Sequence, residues 1–319
     1  MKLISAAEIS QCLDWASLIQ ALEQAFQRGC QMPTRHHHVM SDAPESPVHL
    51  LMPAWIQDGY LGVKAVNIFP ANAKIGKPAV SGVYLLFSAQ TGEMLAVLEG
   101  GELTVRRTAA ASALAARYLA RDDASRLLIV GTGRLSRQLA LAHATVRPIR
   151  QVAVWGRNPE KAAAVANELR QSGLQVEVAS DLKAAVEAAD IVSCATLSTV
   201  PLVRGAWLRP GSHLDLVGGF TPEMREADDE AIRRSRVFVD TRAGAMKECG
   251  DILVPLQNGV LSADKIQGDL FCLTRQLCPG RTSRDEITLF KSVGVAIEDL
   301  AAASLVYEKS TCRVACAWA

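Results

Sequence analysis

The sequence predicts an α/β protein in which a doubly wound parallel sheet is joined to a discontinuous α+β domain. Three observations carry that expectation. Between 127 and 240, short β-branched runs alternate with Ala-rich helical stretches: LLIV (127–130), VAVW (152–155), VEVA (176–179), IVSCAT (191–196), HLDLVG (213–218) and VFVD (237–240). Strands separated by helical crossovers pair in parallel, and these runs lack the alternation of half-exposed strands, as expected where helices cover both faces. The residues before 122 read instead as one helix followed by successive strands, and a helical pattern after Asp285 is long enough to return and complete that first domain.

Taken in order, the opening helix spans Ser17 to Arg28 and is followed by strand-like HLLMP and YLGVKAVNIFP. SGVYLLF and EMLAVLEG flank AQTG, a hairpin with Gly92 in the turn. VYLLF (83–87) is apolar on both faces, so its sheet is either sandwiched by helices or pressed against a second copy of the chain. Thr104 is a reasonable N-cap for the helix carrying RRTAAASALAARYLA. Residues 241–285 read as irregular connections, and EITLFKSVGVAIEDLAAASLVYEKS as a helix to about Ser310 with Ile287, Phe290, Ile297, Leu300 and Leu305 near one stripe.

Composition excludes several functions. At 49% apolar and 21% charged the chain resembles an ordinary soluble protein, and 34 basic against 33 acidic residues give no field that would draw a nucleic acid or an anionic membrane. No stretch reaches the ~20 apolar residues of a membrane span and no signal peptide opens the chain, so the expected address is the cytoplasm. The eight cysteines (12, 30, 194, 249, 272, 278, 312 and 316) form no CxxC pair and are expected as buried thiols of a reducing compartment. HHH (36–38) places neighbours on opposite sides of an extended chain with no supporting carboxylate or cysteine spacing, so no metal is expected. Asp190 and Asp215, in or at the start of strands, read as structural, and Asp228 and Asp229 as a solvated helix start.

The strand LLIV runs into Gly131-Thr132-Gly133-Arg134-Leu135-Ser136. The first glycine permits a tight turn, the second lets backbone approach a pyrophosphate, and the small Ser136 permits close helix packing, while the helix N-terminus presents free N–H groups. Because the turn sits first in a strand–helix series, a dinucleotide is the expected ligand. An NAD-preferring site places Asp or Glu at the end of the next strand to bond the ribose 2′-OH; this chain has Trp155, Gly156, Arg157 and Asn158. Arginine suits a 2′-phosphate, so NADP(H) is expected in preference to NAD(H), which stays the alternative.

A second constellation is cationic. Lys64 lies inside an apolar strand, where a lysine either snorkels at an edge or serves a ligand; Asn67, three residues on and on the opposite face, is carried as a further substrate-side candidate. Arg106 and Arg107 fall in the predicted opening turn of their helix, where a cation opposes the dipole unless an anionic ligand shares the place, so one of them is a candidate carboxylate clamp.

The runs VKAVN, GKP, TGE, LT-x-x-RTAA, IVGTG, VWGRNPEKA, AT, PG-x-H, VGG and ITLFKSVG, spread over nearly the whole chain, resemble the ornithine cyclodeaminase/mu-crystallin family. The resemblance implies a substrate domain that dimerises through its sheet, here 1–121 completed by 287–319, and a Rossmann domain, here 122–286, that binds NAD(P)(H). It implies that Arg35, Lys64 and Arg107 grip a substrate carboxylate, and that Thr108, Ala195, Thr196 and Gly218 join the cofactor side. Cyclodeaminases of the family carry an aspartate two residues before the proline of VGGFTPEMRE; here that residue is Phe220, which can neither move a proton nor pair an amine. The expectation is therefore NADPH-dependent reduction of a small cyclic imino acid, such as Δ1-pyrroline-2-carboxylate, to an L-amino acid by a homodimer. Phe220 would be an apolar wall near the nicotinamide. The alternatives are ornithine cyclodeaminase with Glu223 as substitute carboxylate, an alanine dehydrogenase, and a non-catalytic NADPH-binding protein of the mu-crystallin kind.

Overall fold

A computed structural model describes residues 1–41 and 46–316, and the chain divides into two units: Met1–Arg107 with Val295–Ala319, and Thr108–Gly294. In the first unit, β1 (Lys2–Ile4) leads to α1 (Ala6–Cys12) and α2 (Trp15–Arg28). A capping box between Ser5 and Glu8 starts α1, and Asp14 caps α2 by accepting from Ser17 N, so the helix begins two residues ahead of the expected Ser17. Strands β2 (His36–Val39), β3 (Val48–Trp55), β4 (Tyr60–Ile68), β5 (Val80–Ser88) and β6 (Met94–Glu99) form an antiparallel meander, and β1 adds in parallel beyond β6. The β5–β6 turn contains Gly92 at φ +73°, as the hairpin reading requires.

Alternation along these strands sets two faces. Leu50, Met52, Ala54, Lys64, Val66, Tyr84, Leu86, Ala96 and Leu98 are buried, while Leu51, Pro53, Val63, Leu85 and Val97 between them are only half-buried. The buried face lies under the long C-terminal helix α11 (Ala296–Cys316).

Helix α3 (Gly100–Leu119) departs from expectation at its start. The Glu99 carboxylate accepts from Gly101 N (2.8 Å) and Glu102 N (2.6 Å), capping the helix a full turn before Thr104. Gly100 allows this: a Cβ there would lie 2.6 Å from the Gly82 backbone. Arg106 and Arg107 therefore sit beyond the first turn, and the argument from an opposed dipole does not apply to them.

The second unit is an eight-stranded parallel sheet rather than six-stranded. Its elements are β7 (Arg126–Val130), α4 (Arg134–Val146), β8 (Gln151–Trp155), α5 (Pro159–Arg170), β9 (Gln175–Val178), α6 (Leu182–Ala188), β10 (Ile191–Cys194), β11 (His213–Leu216), α7 (Asp229–Arg234), β12 (Ser235–Val239), α8 (Arg242–Glu248), α9 (Gly250–Gln257), β13 (Ile266–Asp269), α10 (Leu270–Thr274) and β14 (Ile287–Lys291). The order β13-β12-β14-β11-β10-β7-β8-β9 puts the reversal of winding between β7 and β10, the place where open α/β sheets bind ligands at their carboxyl ends. Asp190 fastens the bottom of this sheet by accepting from Ser125 N and Arg126 N (2.9 Å each), and Asp215 in β11 accepts from Ser112, Ser193 and His143. Asp228 caps α7.

Residues 287–291 are a central strand, fully buried between β11 and β12, and the C-terminal helix α11 (Ala296–Cys316) starts only after Gly294 at φ +79°. Short apolar runs do not distinguish a buried strand from a helix, and ITLFK merges in composition with the helix that follows. The domain limits move accordingly, from 286/287 to 294/295, because β14 belongs to the parallel sheet. They also move from 121/122 to 107/108, because the later turns of α3 are tied to that sheet through Ser112–Asp215 and Thr288–Leu119. The region 241–285, read as irregular, holds α8, α9, β13 and α10.

Candidate active site

In the first unit, one row of the sheet carries Lys64. Met52, Lys64, Tyr84 and Leu98 are register partners across β3, β4, β5 and β6. Above them α11 begins with Glu298 and Asp299, acids well placed at a helix N-terminus. Lys64 Nζ lies 2.7 Å from Asp299 Oδ2; Arg107 Nε donates to Asp299 Oδ1 at 3.1 Å and its Nη1 to Glu298 Oε2 at 2.5 Å. All four side chains are buried, so two cations and two carboxylates balance in a site shielded from water.

Burial pushes the Lys64 ammonium down to about 8; Arg107 adds repulsion, Asp299 opposes it, and Arg35 repels further. Burial works against charge on Arg107 as well, but Asp299 and Glu298 raise it above the ordinary guanidinium range. Asp299 is held low by Arg107 and Lys64 against its own burial. The outcome is one permanent cation beside one that can release its proton near neutrality. Arg107 still has N–H groups beyond the two used internally, and Lys64 beyond its bond to Asp299, so both can take an external carboxylate.

The structure sorts the sequence candidates. Arg35 lies one residue before β2 with its charge reaching Lys64. Asn67 is on the opposite face, its Oδ1 2.8 Å from His49 Nδ1, and does not join the cluster. Arg106 is occupied elsewhere, by Glu102 at 2.7 Å and the Leu13 carbonyl at 2.9 Å, over the Trp15 ring. The partners Glu298 and Asp299 were missed by sequence reasoning; the available signal was two adjacent acids in the first turn of a long helix, followed by the apolar run LAAASLV.

In the second unit, Gly131 follows β7 at φ +128°, and a Cβ there would lie 2.5 Å from the Ala195 carbonyl oxygen after β10. Gly133 caps α4 without a side-chain bond, and its Cβ direction is open. The start of α4 therefore has open space beside Gly133 and first-turn N–H groups that no side chain caps, which suits an anionic ligand. Thr132 packs on Gly156, where a Cβ would be 2.4 Å from its methyl carbon. Ser136 is fully buried, consistent with close helix packing rather than direct contact with a ligand. Arg157 is exposed at the end of β8, and Asn158 beside it accepts from Lys161 N at 3.0 Å as the cap of α5. Thr108 is the first residue of this unit and half-buried, as are Gly218 and Phe220 in the segment after β11; Glu223 is exposed. Thr196 and Gly218 are both bonded to buried Glu226, which the sequence reading did not single out.

The model of the ornithine cyclodeaminase/mu-crystallin family matches residues 1–313. A Δ1-pyrroline-2-carboxylate reductase of Colwellia psychrerythraea is 40% identical over 316 residues, 97% of this chain and 99% of its own. The Δ1-pyrroline-2-carboxylate reductase of Thermococcus litoralis, solved in complex with NADH and L-proline, superposes with a TM-score of 0.93 at 35% identity over 98% of each chain. An archaeal alanine dehydrogenase dimer with bound NAD superposes with a TM-score of 0.91 at 28% identity, over 98% of this chain and 97% of that one.

Proposed function

The chain belongs to the ornithine cyclodeaminase/mu-crystallin family, and from that premise we propose that it reduces a small cyclic ketimine carboxylate, Δ1-pyrroline-2-carboxylate first, to the L-amino acid with a nicotinamide dinucleotide. The observation that carries this reading is Lys64 buried beside Arg107 with its proton loosened to about 8. A permanent cation suits the carboxylate of the substrate, and an ammonium that gives up its proton near neutrality suits the imine nitrogen, which must gain one as C=N becomes CH–NH. The bound nicotinamide supplies the hydride.

Each residue then has a task. Arg107, with Arg35, orients the acid; Lys64 would donate its proton to the imine nitrogen and regain one from water once the product leaves; Asp299, held ionised, keeps Lys64 in place. Gly131, Thr132, Gly133 and the start of α4 take the pyrophosphate, with Thr108, Ala195, Thr196 and Gly218 toward the rest of the coenzyme. Ser136 and Gly156 serve that cradle through packing. Arg157, with no carboxylate at the end of β8, supports NADPH over NADH; the two solved relatives hold NADH or NAD. The half-buried apolar face of the first sheet, with Val83 40% and Leu3 73% exposed, supports a homodimer, for which light scattering should return about twice 34.2 kDa. No helix among the described residues is long and apolar enough to cross a membrane.

Phe220 and the exposure of Glu223 weigh against cyclodeamination. The deciding experiment follows oxidation of NADPH and NADH with Δ1-pyrroline-2-carboxylate and Δ1-piperideine-2-carboxylate, alongside ammonia release from L-ornithine. The expected result is ketimine-dependent oxidation, faster with NADPH, and no ammonia. Ammonia without net coenzyme oxidation, or no turnover of either ketimine by folded protein, would overturn the reading.

A further inference from the structure

The segments that follow β10 and β11 are fastened together by one buried carboxylate, and we infer that Glu226 is the positioning residue that sets the conformation of Thr196 and Gly218 for coenzyme binding. This rests on the proposed placing of a nicotinamide dinucleotide at the carboxyl edge of the parallel sheet.

Glu226 Oε1 accepts from Thr196 N at 2.7 Å and Thr196 Oγ1 at 2.9 Å, and Oε2 accepts from Gly218 N at 2.7 Å and, more weakly, Gly219 N at 3.4 Å. Gly218 presses so closely on the neighbouring segment that a Cβ would lie 2.0 Å from the Thr196 carbonyl oxygen and 2.6 Å from Glu226 Oε1. The carboxylate is also held from behind. Glu226 N donates to Asp251 Oδ1 at 2.8 Å, Asp251 Oδ2 takes Lys291 Nζ at 3.0 Å, and the Glu226 carbonyl accepts from Leu202 N and Val203 N. Glu226, Asp251 and Lys291 are each at most 1% exposed. Thr196 and Gly218 are thus both hydrogen-bonded to a single carboxyl group, which couples their conformations.

The ionisation of that carboxyl group changes with pH. The charged and titratable groups around Glu226 are Asp251 on α9, Lys291 closing β14, and the thiols of Cys194 at the end of β10 and Cys249 before α9, both pushed up by burial and so neutral. Burial lifts the Glu226 carboxyl to about 7; Lys291 pulls it down, and Asp251 pushes it up. Ionised, its two oxygens match the donors that face them. Protonated, one oxygen carries a hydrogen and has less acceptor capacity, so either the Thr196 or the Gly218 side slackens. In stability the sign is opposite: a raised carboxyl favours the fold below its unfolded value near 4.5, and that contribution is lost as pH rises through about 7. The ionised form that orders the two segments is therefore the costlier one, as a functional constraint would be.

The test measures the dissociation constants of NADH and NADPH from pH 6 to pH 8.5 by fluorescence, together with amide exchange at Thr196 and Gly218 in the coenzyme-free protein. NADH controls for titration of the 2′-phosphate. Both coenzymes should bind about tenfold more weakly at the acid end, the factor that one charge-assisted hydrogen bond supplies. Glu226→Gln should bind weakly at every pH with the slope gone and both amides exchanging faster, because its NH₂ faces donors; Glu226→Asp should retain a slope at reduced affinity. A role confined to stability would lower Tm and leave the pH slope of binding unmoved. If Glu226→Gln fails to fold, the wild-type profile and Glu226→Asp decide. A flat wild-type profile with NADH, or a Glu226→Gln variant with the wild-type slope, would overturn the inference while leaving the functional reading intact; absence of coenzyme binding at every pH would overturn both.

Discussion

Replacing Lys64 by methionine is expected to lower turnover of the ketimine by roughly 10²–10⁴-fold, the range that a positioned proton donor supplies, while coenzyme affinity stays unaltered. Methionine fills similar space in the buried row between Met52 and Tyr84, so the sheet keeps its packing. The glycine cradle belongs to the other unit and shares no residue with this row. In the unmodified protein, Lys64 holds its transferable proton below about 8 and loses it above, so kcat/KM should fall as pH rises through that value. Lys64→Arg keeps a cation but cannot release its proton, and should restore substrate binding without restoring turnover. Steady-state kinetics beside a coenzyme titration checks all three statements; a Lys64→Met variant with near-normal kcat would remove the lysine from the chemistry.

The largest stability effect should follow Asp299→Ala. Its carboxylate carries Lys64 on one oxygen and Arg107 on the other. Removing it leaves Lys64 without its carboxylate in a dry site, whereas Arg107 keeps Glu298. Breaking a buried pair from one side costs about 3–5 kcal/mol, a fall in Tm of roughly 10 °C for a chain of this size. The Lys64→Met/Asp299→Ala double variant should lose less than the sum of the single losses, because the lone ammonium is gone too. Calorimetry on the four proteins measures the coupling; additive losses would contradict the pairing.

The two constellations differed in how far sequence alone could take them. A lysine inside VKAVNI stands out because a strand with an apolar face has no use for a charge, and that oddity led to the buried row. Lys291 carries the same mark in ITLFK, a strand buried at every position, but there the run merges in composition with the helix that follows and hides the mark. Arg106 and Arg107 could not be separated by spacing: which of two neighbours faces the cluster depends on where the helix starts, and Glu99 starts it a turn before Thr104. Asp299 was out of reach for a different reason, since its partner Arg107 lies 192 residues away and local pattern holds nothing of such a contact. The parallel sheet was legible strand by strand wherever apolar runs were isolated by helices, but the strand order and the β7–β10 register are long-range pairings that no local pattern carries.

The proposed chemistry requires direct transfer between coenzyme and imine carbon in a chain that recognises a small cyclic acid. Incubation of the purified protein with Δ1-pyrroline-2-carboxylate and NADPH carrying deuterium at both C4 positions, followed by chiral mass spectrometry of the product, addresses that directly. The expected product is L-proline with a single deuterium at Cα. Absence of proline, or proline whose Cα hydrogen comes from water, would contradict it.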